Sequence, residues 1–287
     1  MPDTPLVVIH HTPCNDGMTA AWAVVQAHPD AELRPAMHGK PFPLADLQGR
    51  DVVFVDICPV RADLDKMLAE ARTVTVLDHH KTAQADLAGL EAPNLMVVFD
   101  MNRSGAGIAW DHFHVGQARP WLVNTVEDND LWRFALRDTK HLMEAVRSFP
   151  STVEVTGLLA LADPGSLLAE GVAISRFKTI QVAQSVEFAH EVTLPDGTVC
   201  WASNVPFFLC SDVANVLAKK NADQGRPALG ITYYMSATGK WALSFRTVGD
   251  LDCSSIAKTF GGGGHRNASG ANVDQLPWSK TPLVATT

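Results

Sequence analysis

No stretch of the chain approaches the roughly 18 consecutive apolar residues that a membrane span requires, so none is expected. The opening MPDTPLVVIHH has an acid in place of a basic leader and an apolar run of only about five residues, which argues against secretion. Basic residues are in deficit, 23 against 31 acids, for a net charge of -8. A broad basic surface for long nucleic acid is thereby excluded, because counterion release needs clustered Lys and Arg. A short anionic substrate is still allowed. The five cysteines (Cys14, Cys58, Cys200, Cys210, Cys253) are odd in number and form no CxxC pair, which fits neither a disulfide framework nor a zinc knuckle and points to a reducing cytoplasm. Internal repeats and low-complexity tracts are lacking as well.

What is present is a globular composition, 46% hydrophobic and 19% charged over 287 residues, long enough for two domains. Four short apolar runs each stop at a polar residue: Leu6 to Ile9 at His10, Val52 to Val55 at Asp56, Val74 to Leu77 at Asp78, and Met96 to Phe99 at Asp100. Continuous β-branched runs of this length predict buried parallel strands. Helical spacing over Met18–Ala27 and Ala62–Ala71 supplies the crossovers of an α/β domain, 1–136. A helical extension and linker follows over 137–190, punctuated by Pro150 and the ADPG at 162–165, with a connecting helix at Ile174–Ala189. A smaller α/β domain with a mixed sheet is expected over 191–287. Its strands are predicted near 191–194, 199–202, 229–234 and 241–247, and its helices at Ser211–Lys220 and Ser254–Phe260.

Sites in such sheets lie at the carboxyl ends of the strands. One strand-end aspartate is ordinarily a turn or cap residue, but several with polar neighbours point to a shared metal site. Asp78-His79-His80 is the densest cluster: adjacent imidazoles diverge, so one can ligate a metal while the other faces substrate, and the aspartate can fix a ring tautomer. His10-His11-Thr12-Pro13-Cys14-Asn15-Asp16-Gly17 adds imidazole, thiol and carboxylate. Asp56 ends the VFVD strand, and Glu127-Asp128-Asn129-Asp130-Leu131-Trp132 is an acidic patch that otherwise reads as a helix N-terminus.

Together with Gly261-Gly262-Gly263-Gly264-His265 and Ala268-Ser269-Gly270 about 180 residues after the DHH, these segments resemble the DHH phosphoesterases that carry a C-terminal DHH-associated domain. The likeness runs from about residue 6 to 272. The DxDLW and RSGA segments look most similar to the branch named for nanoRNase or cyclic-nucleotide phosphodiesterase activity. The resemblance implies one or two divalent ions, manganese first, with cobalt or iron as substitutes and magnesium less suited to mixed His and carboxylate ligation. Carried over by motif, Asp16, Asp56, His79 and Asp128 would surround one ion, with Asp56 bridging. His10 or His11, with Cys14, would face the other. Cys14 stands where many members have an aspartate, and a thiolate there suits a borderline metal.

Catalysis is then expected from metal-activated water, with His80 on the phosphoryl group and Asp78 behind it. Gly262, Gly263 and Gly264 expose backbone N–H groups beside His265 and Arg266, as a loop that approaches an anion or base does. Arg246 matches the family's arginine and would clamp a terminal phosphate. Arg103, in the RSGA segment, reads equally as an anion site or a plain helix start. Trp22 and Trp132 could stack on a base, core packing being their commoner use. His28, His38, His112, His114, His141 and His190 have no assigned role. The expected function is hydrolysis of short oligonucleotides, such as the linear dinucleotide pGpG, to mononucleotides, with the smaller domain closing over the cleft. A cyclic-nucleotide phosphodiesterase, a nucleotide or polyphosphate phosphatase, and a nucleotide-binding module with impaired catalysis are the alternatives. No long nucleic acid or membrane partner is expected, and a homodimer is compatible with the sequence.

Overall fold

The computed structural model describes residues 5–280, which fall into two compact units, Met1–Ser175 and Arg176–Thr287. In the first unit the chain runs β1 (Val7–His11), α1 (Asn15–Ala27), β2 (Glu32–Ala36), β3 (Asp51–Val55), α2 (Arg61–Glu70), β4 (Thr73–Asp78), α3 (Lys81–Asp86) and β5 (Leu95–Phe99). The helices α4 (Gly105–Phe113), α5 (Trp121–Asp130), α6 (Thr139–Arg147) and α7 (Val153–Leu161) follow, and α8 (Pro164–Glu187) contains the boundary between the units. All five strands are parallel, in the order β2-β1-β3-β4-β5. Four of them are the apolar runs of the sequence.

The fifth, β2, has the sequence ELRPA, and no apolar run announces it. It is an edge strand, paired with β1 alone, as β5 at the other edge is paired with β4 alone. At an edge, Pro35 can forgo its missing N–H and charge is tolerated: Glu32 takes Arg34 at 2.7 Å and Arg50 at 2.6 Å. The inner strands are buried on both faces, and their alternation feeds two cores. Val8, Val53, Val55 and Leu77 pack with α1, α4 and α5 on one side. Val7, Ile9, Val52, Phe54, Val74 and Val76 pack with α2 on the other.

The order reverses between β1 and β3, which lie side by side although β2 separates them in sequence. Such a switch point opens a crevice at the strand carboxyl ends, here at His11, Asp56 and Asp78. The ADPG segment starts α8 at Pro164 instead of interrupting a helix, proline being well suited to a first helical position. No single helix among the described residues is long and apolar enough to cross a membrane.

In the second unit, β6 (His190–Thr193), β7 (Val199–Asn204), α9 (Cys210–Asp223), β8 (Leu229–Met235), β9 (Trp241–Thr247), α10 (Cys253–Thr259), β10 (Gly263–Gly264), β11 (Ala268–Val273) and β12 (Ser279–Lys280) follow α8. They build a mixed sheet, β10-β11-β9-β8-β7-β6-β12, in which only the β7–β8 pairing is parallel. The glycine-rich segment contributes β10. A Cβ on Gly262 would lie 2.0 Å from the carbonyl oxygen of Gly270, so glycine is what lets this loop fold onto the ASG segment.

Candidate metal centre

Asp56 is the hub. It leaves β3 in the left-handed region, at φ 57°, a conformation that non-glycine residues rarely adopt, and its N–H donates to the Leu77 carbonyl at 3.0 Å. The turn aims the carboxylate along the strand ends while leaving it 2% exposed. Oδ1 lies 3.2 Å from His79 Nε2 and Oδ2 lies 3.2 Å from His11 Nδ1, so its two oxygens face two different donor groups.

The first group is Asp16, His79 and Asp130, and the second is His11, Cys14 and Asp56; within each, ligand atoms lie within 4.8 Å of one another. His79 Nε2 is 3.5 Å from Asp16 Oδ2 and 3.6 Å from Asp130 Oδ2. Of the two histidines ending β1, the structure selects His11. Successive strand residues face opposite ways, and His10 is buried with its Nδ1 3.3 Å from the His11 carbonyl oxygen, in neither group.

Asp128, expected as a ligand, is used elsewhere. Its Oδ1 accepts from Ala135 N at 2.9 Å, and its Oδ2 accepts from Leu136 N at 3.1 Å and Thr139 Oγ1 at 2.6 Å, so it organises the loop into α6. Asp130 takes the place at the centre. The acidic patch ends α5 instead of starting a helix, so its carboxylates sit against the negative end of the helix dipole and need compensation. Glu127 has it, from Arg119 at 3.0 Å and Ser104 N at 3.1 Å. Asp130 Oδ2 is buried with no hydrogen-bond partner among the described residues. We therefore expect Asp130→Asn to retain the fold and lose bound metal. Asp128→Ala should retain metal but destabilise the protein by about 2–3 kcal/mol, through the buried donors it strands. Thermal denaturation and metal analysis of the pair check this, and metal lost from Asp128→Ala alone would reverse the assignment.

The helix N-terminus that begins in the RSGA segment is already occupied, by the carboxyl group of Asp16. Its carboxylate accepts from Gly105 N at 2.6 Å and Ala106 N at 2.9 Å, while Gly107 N donates to Ser104 Oγ at 3.3 Å. Arg103 is correspondingly not placed to bind substrate: it is paired with Asp100 at 2.7 Å and Asp111 at 3.0 Å. Asp78, fully buried, accepts from His79 N at 2.7 Å, and its Oδ1 lies 2.6 Å from His80 Nδ1, the tautomer-fixing contact that the DHH tripeptide suggests.

His38 is the residue that sequence reasoning missed. It follows β2 in the loop, and its ring lies 4.5 Å from that of His11 and 5.1 Å from that of His80. A lone histidine in a loop carries no local signal of this. Trp22 is core, stacked on Trp110 at 5.6 Å, whereas Trp132, 39% exposed, stands two residues beyond Asp130.

The electrostatics are those of a cation site. Burial drives Asp16 well above the usual carboxylate range, with Asp56 and Asp130 adding to it, and burial raises Asp130 too. Burial also opposes ionisation of Asp56, but the hydrogen bonds with His11 and His79 outweigh it and hold this carboxyl low. Burial disfavours a charged His79, yet the bond to Asp56 and the charges of Asp130 and Asp16 carry it up to about 10. Burial, then Asp56, Asp130 and Asp16, push the Cys14 thiol up. Two buried carboxylates, Asp16 and Asp56, and the half-buried Asp130 thus crowd one imidazole, an arrangement that a divalent ion would neutralise. With Asp130 Oδ2 lacking a donor, the residues fit a metal.

In the second unit Arg246 donates to Ser211 Oγ at 2.7 Å, Ser244 Oγ at 3.1 Å and the Phe245 carbonyl at 2.8 Å, all neutral acceptors. His265 N donates to the Ala268 carbonyl at 2.8 Å in the turn between β10 and β11.

Residues 210–284 match the DHHA1 domain. An uncharacterized protein of Acanthamoeba polyphaga mimivirus is 28% identical over 291 residues, and the match takes in 92% of this chain and 66% of that protein. The DHH domain of a member of a ribosomal protein family superposes with a TM-score of 0.59 at 15% identity, over 95% of this chain and 83% of that one. The pGpG-specific phosphodiesterase PggH of Vibrio cholerae gives 0.50 at 13% identity, over 94% and 93%. At these identities the likeness to solved structures is one of fold. Residues 210–284 thus match the DHHA1 domain, and the chain as a whole shares the fold of these solved structures.

Proposed function

We propose that this protein is a divalent-metal-dependent phosphodiesterase that hydrolyses short oligonucleotides, with linear dinucleotides such as pGpG as the preferred class, to mononucleotides. The observation that carries the reading is Asp56, whose two oxygens face His79 and His11 in separate donor groups. A carboxylate shared in this way suits a two-metal centre for displacement at phosphorus. Asp16, Asp56, His79 and Asp130 would hold one ion, manganese by their mixed donors, and His11, Cys14 and Asp56 a second. Ions held there supply positive charge to the phosphoryl oxygens and acidify a water near neutral pH.

The remaining work falls to side chains. Asp78 holds the His80 ring through Nδ1 and, against burial, favours its protonated form, so that the ring is oriented to donate to the phosphoryl group. His38, beside both His11 and His80, adds a donor to the same region. Trp132 offers an exposed face on which a base can stack. In the second unit Arg246, held among the described residues by neutral oxygens, keeps its charge for a phosphate group. The choice of short oligonucleotides over polyphosphate leans on the resemblance carried by the DxDLW and RSGA segments. Exclusion of long nucleic acid leans on the net charge of -8. Five free cysteines agree with a cytoplasmic enzyme.

A substrate panel with manganese tests this: linear dinucleotides, cyclic nucleotides, longer RNA, 3′-phosphoadenosine phosphate and pyrophosphate, read by product identity. Linear dinucleotides should give the highest kcat/KM, and His38→Ala should lower kcat by about 10- to 100-fold. Binding of nucleotide without hydrolysis of any member would establish the binding-module alternative instead.

A further inference from the structure

The two donor groups that share Asp56 are chemically unlike. Asp16, Asp130 and Asp56 Oδ1 surround His79 Nε2 with oxygen alone. On the other side of Asp56, His11 and Cys14 bring an imidazole and a thiol. Cys14 occupies the N-cap of α1, at φ -147° and ψ 130°, where Ser, Asp or Asn would bond back to the helix through oxygen; sulfur is a weaker acceptor, drawing on the Gly17 N–H without a full capping bond. Its sulfur lies within 4.8 Å of ligand atoms of His11 and Asp56. Gly17 fixes this geometry, since a Cβ there would lie 2.3 Å from the His11 carbonyl oxygen.

Donor softness separates the two groups. Carboxylates suit manganese and magnesium, whereas a thiolate with an imidazole selects zinc, iron(II) or cobalt(II), in line with the order of divalent affinities. An aspartate at position 14 would make the two sides alike.

We propose that the centre is heterometallic: the His11–Cys14–Asp56 group binds a borderline divalent cation through the Cys14 thiolate, and the Asp16–Asp56–His79–Asp130 group binds manganese. The inference rests on the metal-dependent reading above and adds the identity of the second ion. On binding, the Cys14 S–H bond breaks, its proton passes to solvent and the sulfur donates an electron pair to the cation. No change of oxidation state is involved.

Cobalt(II) titration of the metal-stripped full chain, followed by absorption, tests the inference apart from the reading on which it rests. The expected result is visible d–d bands together with a near-ultraviolet thiolate-to-cobalt charge-transfer band that saturates with one equivalent. Zinc should abolish that band and excess manganese should leave it. Cys14→Ser should lose the charge-transfer band while retaining the d–d bands of the other group. Cys14→Asp, which restores an oxygen donor, should reduce the preference for zinc over manganese by more than about 10-fold. Bound cobalt without the near-ultraviolet band, a band that survives in Cys14→Ser and so arises from another cysteine, or displacement by manganese would overturn the heterometallic centre alone. Absence of any bound cobalt would overturn the metal centre itself.

Discussion

Asp56→Asn is expected to abolish turnover, lowering kcat by about 1,000-fold or more, and to remove metal from both donor groups at once. The effect exceeds that of any other ligand because Asp56 Oδ1 and Oδ2 serve different neighbours, His79 and His11, each at 3.2 Å. Loss of Asp130 strips one group, and loss of Cys14 strips the other. Asparagine fills the same space and keeps one carbonyl oxygen, so circular dichroism should report an intact fold. Metal analysis should fall from two equivalents to below one. Retention of a full complement with wild-type kcat would remove Asp56 from the centre.

Gly105→Ala should come close to this effect without touching a ligand. The Cβ it adds would stand 2.5 Å from Asp56 Cβ, 3.0 Å from Asp56 Cα and 3.1 Å from Asp16 Oδ2, where ordinary contact begins at 3.4 Å. The nearest atoms are backbone and Cβ, which cannot swing aside as a flexible side chain does, so Asp56 or α4 must shift by about 1 Å. A displacement of that size at a catalytic group costs roughly 100-fold in kcat/KM, and overpacking adds about 1–3 kcal/mol of destabilisation. The N–H of residue 105, which donates to Asp16, shifts with it. Kinetics and thermal denaturation measured side by side check both numbers. Wild-type kcat/KM in this variant would mean that Asp56 and Asp16 tolerate displacement, against the close packing described.

What could be read from the chain and what could not divides along locality. The inner strands were legible because burial on both faces leaves continuous β-branched runs, and the edge strand β5 keeps such a run as LMVVF, whereas β2, at the other edge, has the charged ELRPA and no run to read. Asp78-His79-His80 was legible as a cluster because its three residues act from one strand end. Choosing between Asp128 and Asp130 needed Ala135, Leu136 and Thr139, whose donors claim the former. Similarly, alternation along β1 implies that only one of His10 and His11 reaches the site, and the hydrogen bond to Asp56 identifies His11. Arg103 looked like an anion binder because it precedes the start of α4, yet that place is taken by a carboxyl group of the chain itself. His38 entered through ring contacts that cross from β2 to β1 and β4, where pattern has no purchase.

The bond between Asp16 and Gly105 spans 89 residues of chain, and this bears on when the centre comes into being. Before the sheet closes, the polypeptide offers a cation only local fragments, His11 with Cys14 and Asp16, or Asp78 with its histidines. Bringing those fragments together with Asp130 carries a loop-closure entropy that collapse of the whole unit must meet first. A metal bound at this centre would therefore select the finished fold over the nascent chain, acting as a late lock on a protein that assembles from its apolar strands.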